Sequence, residues 1–178
     1  MESIDIALRN LHLRVGSTKL LRTANSKDLF FERAGNQLTQ LPNGEMFGGW
    51  NGGNGRIAFS NPGMANAREA QDTVYHEIAH NWDEPSENAY INQFRLINGW
   101  RIGWVGGFTA SDAVGDNWFY KTAGSSFIRT YGRNNPQEDY ATAWEAYFDL
   151  KYHGNLKNLP NLAVQKIANL DSLFATLG

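Results

Sequence analysis

Three kinds of hydrophobic pattern run along the chain. Leu11-His12-Leu13-Arg14-Val15 alternates apolar with polar residues, which predicts a half-buried strand with His12 facing outward. Residues 16–35 carry no clear period. From Leu41 to Gly55 the chain is rich in Gly and Asn, and Gly48-Gly49-Trp50-Asn51-Gly52-Gly53-Asn54-Gly55 predicts a hairpin turn rather than a mobile lid. Arg56–Ser60 reads as a short strand after it.

Helical spacing then takes over. Val74, Tyr75, Ile78, Ala79 and Trp82 form one apolar helix face. Asn66-Ala67-Arg68-Glu69 stands before it with the spacing of a capping box, Asn replacing Ser or Thr. This helix is expected to run to Asp83-Glu84-Pro85, because the residue before a proline avoids the helical region. Ser86–Asn98 predicts a second helix, stopped by Gly99. Trp100–Gly124 reads as strand and loop. A strong helix opens at Asn135-Pro136-Gln137-Glu138 and runs to about Tyr152, with Tyr140, Ala141, Trp144, Tyr147 and Phe148 as its apolar face. A last helix follows Pro160 and carries Ile167, Leu170, Phe174 and Leu177. No repeat or linker interrupts this order. The expectation is a single α+β domain over 1–178, with a small mixed β-sheet and one helix in 1–83 and a mainly helical half in 84–178.

Composition narrows the chemistry. The 178 residues carry a formal net charge of −2, 42% hydrophobic residues and no Cys. Scattered basic residues give no electrostatic footprint for nucleic acid. No apolar run is long enough to cross a bilayer. Without Cys there is no thiol nucleophile and no Cys-ligated zinc, so a metal must use His and carboxylates. The Asn- and Gly-rich, Lys-poor composition suits a secreted or extracellular bacterial domain, expected as a monomer. Met1-Glu2-Ser3-Ile4 does not open a charged-then-apolar signal, so an exported chain is expected to have lost that address.

One pentapeptide stands out. His76-Glu77-Ile78-Ala79-His80 is His-Glu-x-x-His, and it holds half of the chain's 4 His. Roughly 0.004 such matches are expected by chance at this composition. Residues four apart share a helix face, so both imidazoles can reach one Zn²⁺. Glu77, about 100° round the helix, can act as general base on the attacking water. Three protein ligands complete a catalytic zinc site. A third His six residues after the second is absent, because Ser86 stands there, and His12 and His153 are poor candidates. A carboxylate from a second helix is expected. Glu138 is the best placed, although it is also the Glu of an Asn-x-x-Glu capping box. Glu145 is the fallback.

The segment Tyr131-Gly132-Arg133-Asn134-Asn135-Pro136-Gln137-Glu138-Asp139-Tyr140-Ala141 resembles the one that follows the His-Glu-x-x-His helix in the anthrax lethal factor catalytic-domain family. Those proteins are gluzincin-type zinc metallopeptidases with the pattern Tyr-Gly-x-x-Asn-x-x-Glu. The resemblance covers roughly residues 70–150. It implies a zincin-like fold, His76, His80 and Glu138 as ligands of one Zn²⁺ per chain, and Glu77 as base. It also implies Tyr131 as hydrogen-bond donor to the oxyanion, and Asp83 as a carboxylate supporting a ligating His. One position departs from the pattern: the Glu expected four residues after the third ligand is Thr142, and Glu145 or Asp83 would take its role.

The function so implied is zinc-dependent, endopeptidic hydrolysis of peptide or protein substrates. The rival readings are an Asp-ligated zincin, a degenerate zincin acting as a binding module of a larger extracellular protein, and a glycan-binding domain. Arg56–Ser60 is expected to be an edge strand that pairs with an extended substrate.

Overall fold

A computed structural model describes residues 2–35, 48–83, 89–103, 113–114, 117–120, 126–154 and 159–178. The chain is α+β, and it divides into two compact units. One comprises residues 1–82 with 174–178, the other residues 83–173.

The first unit opens with helix α1 (Glu2–Val15), not with the expected strand. The alternation that suggested a strand is three apolar residues long. The longer pattern, Ile4, Ala7, Leu11 and Val15, is helical, and all four are buried. Leu13, which a strand would have buried beside Leu11 and Val15, is 63% exposed. His12 therefore lies on the outer face of α1, where its Nδ1 and the Ser17 carbonyl are 3.0 Å apart.

Three strands follow: β1 (Phe30–Gly35), β2 (Gly49–Asn51) and β3 (Arg56–Ser60). Their spatial order is β1-β3-β2, with β1 parallel and β2 antiparallel to β3. From Gly48 on, the Gly- and Asn-rich stretch is thus an outer strand and a hairpin turn, in which Gly53, Asn54 and Gly55 take positive φ. Arg56–Ser60 is the central strand, which corrects its assignment as an edge. A lone strand after a turn looks the same in sequence whether it has one neighbour or two.

Helix α2 (Ala67–Ala79) packs against α1 and against β2 and β3. The Asn66 side chain accepts hydrogen bonds from the Arg68 and Glu69 amides, as the capping box predicts. Val74 and Ile78 are fully buried, and so are Ile57 and Leu11. The helix ends at Ala79, short of Asp83. Its last turn tightens, with the Asn81 amide bonded to the Ile78 carbonyl and that of Trp82 to Ala79. The Trp82 indole then donates to the Arg22 carbonyl at 3.2 Å.

The second unit contains α3 (Ala89–Ile97), a two-stranded ribbon of β4 (Arg101–Ile102) and β5 (Trp118–Phe119), helix α4 (Pro136–His153) and most of α5 (Asn161–Leu177). The expected start of the α3 helix, Ser86–Asn88, lies outside the described residues. Phe94 of α3 meets Tyr140 of α4 edge-on, ring centres 5.1 Å apart. The Tyr147 hydroxyl reaches Asp171 of α5 at 2.6 Å. Tyr140, Trp144 and Phe148 are buried as the pattern predicts, but so are Thr142, Glu145 and Asp149 opposite them. α4 is therefore an enclosed helix rather than an amphipathic one. Among the described residues, no helix is long and apolar enough to cross a membrane.

Candidate metal centre

His76 lies in the last turn of α2 and His80 directly follows the helix, still with helical backbone (φ −63°, ψ −17°). The i, i+4 relation therefore survives the early end of the helix. The two Nε2 atoms are 3.2 Å apart, and the rings meet at 76°. Two imidazoles on one tetrahedral zinc, each at about 2.05 Å, would hold their nitrogens roughly 3.3 Å apart. The same separation lets the rings share an Nε2–H···Nε2 hydrogen bond when no ion is bound. His76 is buried and His80 is half-buried.

Glu77 is 5% exposed. Its backbone carbonyl accepts from Asn51 Nδ2 of β2 at 2.6 Å, which ties the outer strand to the motif. Gly49 of the same strand leaves room for the Glu77 side chain. A Cβ built there would stand 2.8 Å from Glu77 Oε1 and 2.7 Å from Thr73 Cγ2. Sequence reading missed both neighbours, because the only signal was a run of glycines that turn geometry also explains. Ladder bonds join Ser60 to Gly48 and Gly52 to Arg56. By antiparallel alternation, Gly49 and Asn51 turn their backbone N–H and C=O away from β3.

The other expected residues lie in the second unit. Asp83 is buried. Tyr131 sits half-buried in the 3₁₀ turn Thr130–Arg133, which packs on α4. Gly132 makes that packing possible, because a Cβ there would meet Thr142 Oγ1 at 2.8 Å and Asp139 Cα at 3.2 Å. Thr142, where the resemblance expects Glu, is thus buried against this glycine. Its hydroxyl donates to the Asp139 carbonyl. Glu145 is ion-paired with Arg129 at 2.7 Å. Glu138 stands half-buried in the first turn of α4, its amide donating to Asn135 Oδ1 at 2.8 Å. This is the Asn135 half of the capping interaction expected from the sequence.

Beside Glu138, Asp139 is almost wholly enclosed. Oδ2 accepts from Asn98 Nδ2 and Trp100 Nε1, and Oδ1 accepts from Lys166 of α5. Burial raises the Asp139 carboxyl above its ordinary value and lowers the Lys166 ammonium, while each charge opposes the shift of the other. His153, at the end of α4, is exposed.

Comparison with known proteins returns no matching family model, no matching curated protein and no matching solved structure.

Proposed function

We propose that this chain is a zinc metallopeptidase of gluzincin type with a zincin-like fold, holding one Zn²⁺ through His76, His80 and Glu138. The observation that carries this reading is the convergence of the two Nε2 atoms to 3.2 Å within one helical turn, in a motif whose second residue is the buried Glu77. The donor set of two neutral imidazoles and one carboxylate is a usual one for catalytic zinc.

Zinc so held lowers the pKa of its water to about 7 and polarises a substrate carbonyl. The protein supplies the rest. The Glu77 carboxylate accepts the proton of the attacking water and passes it to the leaving amine. The Tyr131 hydroxyl donates to the carbonyl oxygen as it gains charge. Asp83 accepts the outer N–H of a ligating His and fixes its tautomer. An extended peptide pairs with the outward backbone groups of Gly49 and Asn51, so β2 takes the role first expected of Arg56–Ser60. The substrates are peptides or proteins met outside the cell, by a bacterial domain that acts as a monomer.

Elemental analysis and a quenched-fluorescence peptide library test this together. One zinc per chain is expected. Chelation is expected to abolish hydrolysis, and equimolar zinc to restore it. A chain that takes up no zinc on reconstitution would overturn the reading. A chain that keeps its zinc and cleaves no peptide would be the non-catalytic binding module instead.

Gly49→Ala gives a finer test. The new methyl has no space beside Thr73 and Glu77, so the base is expected to shift. A displacement near 1 Å costs on the order of 10²-fold in rate. Turnover should fall by about that much with zinc content unchanged, and wild-type turnover would show that Glu77 is not held from β2.

A further inference from the structure

We propose that Lys166 is a positioning residue for the zinc ligand Glu138, acting through Asp139; this rests on the ligand set proposed above. Lys166 lies on α5, in a stripe with Ala163, Leu170, Leu173 and Phe174 that is otherwise apolar. Its side chain is completely buried. The ammonium donates to Asp139 Oδ1 and to the Ser126 carbonyl at 2.8 Å, and lies over the Phe94 and Phe127 rings at 5.5 and 4.9 Å. The second carboxylate oxygen is taken by Asn98 at 3.0 Å and Trp100 at 2.9 Å. Asn98 closes the ring by accepting from the Ser126 amide. Two separate stretches of chain thus bond one side chain in the first turn of α4, and a third, at Ser126, ties them to each other.

Stability alone does not account for this pair. Desolvating an ammonium and a carboxylate is costly, and a well-packed apolar pair of the same volume serves a core as well or better. What a multiply bonded charge pair adds is geometry, because only one orientation of the first turn satisfies all its bonds. Consecutive helical residues project about 100° apart. Anchoring Asp139 inward therefore fixes the direction of Glu138, whose amide Asn135 holds from the other side. The turn bearing Tyr131 rests on the same residue, since Gly132 lies against the Asp139 Cα. Lys166 is thereby tied to two groups of the proposed site without touching either.

A double-mutant cycle on zinc affinity separates positioning from plain support. The paired variant Asp139→Asn/Lys166→Met is used, because Lys166→Met alone would leave a buried carboxylate unpaired. Zinc dissociation constants are measured by chelator competition, with thermal unfolding of the zinc-free chains alongside. The paired variant is expected to fold with a wild-type midpoint and to bind zinc about tenfold more weakly, the low end of what losing outer support of a ligand costs. In a Glu138→Gln background the same pair of changes should cost nothing further. An equal loss in both backgrounds, a wild-type affinity in the paired variant, or its failure to fold would each overturn the inference. Failure of the underlying reading would look different: Glu138→Gln alone would then bind zinc like the wild type.

Discussion

Glu77→Gln is expected to abolish peptide hydrolysis while the chain still holds one zinc. The substitution keeps the shape and the packing of the side chain, which is 5% exposed and hemmed in by Gly49 and Thr73. It removes only the ability to take a proton. General acid–base catalysis contributes about 10²–10⁴-fold, and Glu77 acts twice in the proposed cycle, so a loss at or beyond the upper end is expected. The imidazoles that hold the ion are unaltered, so zinc stoichiometry by elemental analysis should stay at one. Hydrolysis that persists undiminished in Glu77→Gln would belong to another residue or another protein. Loss of zinc together with activity would make Glu77 a ligand, in conflict with its place one residue round the helix from His76.

What the sequence made legible, and what it hid, follows the range of the interactions involved. The His76–His80 relation, the Asn66 cap and the Asn135 cap are settled within one helical turn, so spacing alone reads them. The α1 helix was misread because three alternating residues at its end outweighed a longer helical stripe beginning at Ile4. The sheet's edge was misassigned because strand order is set by partners far away in sequence: β3 pairs with β1 some 26 residues earlier. Gly49 looked like a turn residue, and its contact with Glu77 crosses from strand to helix. Lys166 was invisible for a similar reason. A lysine at a helical stripe position reads as an interruption of the core unless its partner, Asp139 on another helix, is known. Both of these missed residues support groups that the motif had already named, which is where non-local contacts concentrate in a preorganised site.

Glu138 is the position where the local and the functional readings compete, and a conservative substitution divides them. As a capping residue, Glu138 would contribute about 0.5–1 kcal/mol to the helix, and the Asn135 bond to its backbone amide persists in Glu138→Gln. As a zinc ligand it would contribute far more to the ion. Four-ligand structural sites bind zinc with about 10–16 kcal/mol, or roughly 3 kcal/mol for each ligand, which corresponds to a hundredfold or more in affinity. Glu138→Gln is therefore expected to weaken zinc binding by about 10²-fold or more while moving the unfolding midpoint of the zinc-free chain by only a few degrees. His80→Ala should match it in affinity, because each change removes one of three ligands. Chelator competition and calorimetry of the apo chains measure the two effects separately. If Glu138→Gln shifts stability but not affinity while His80→Ala shifts affinity, the carboxylate ligand must be sought elsewhere. Glu145 would then be the next candidate on α4, and it would have to give up its 2.7 Å ion pair with Arg129 to serve. That cost is the reason to expect the other outcome.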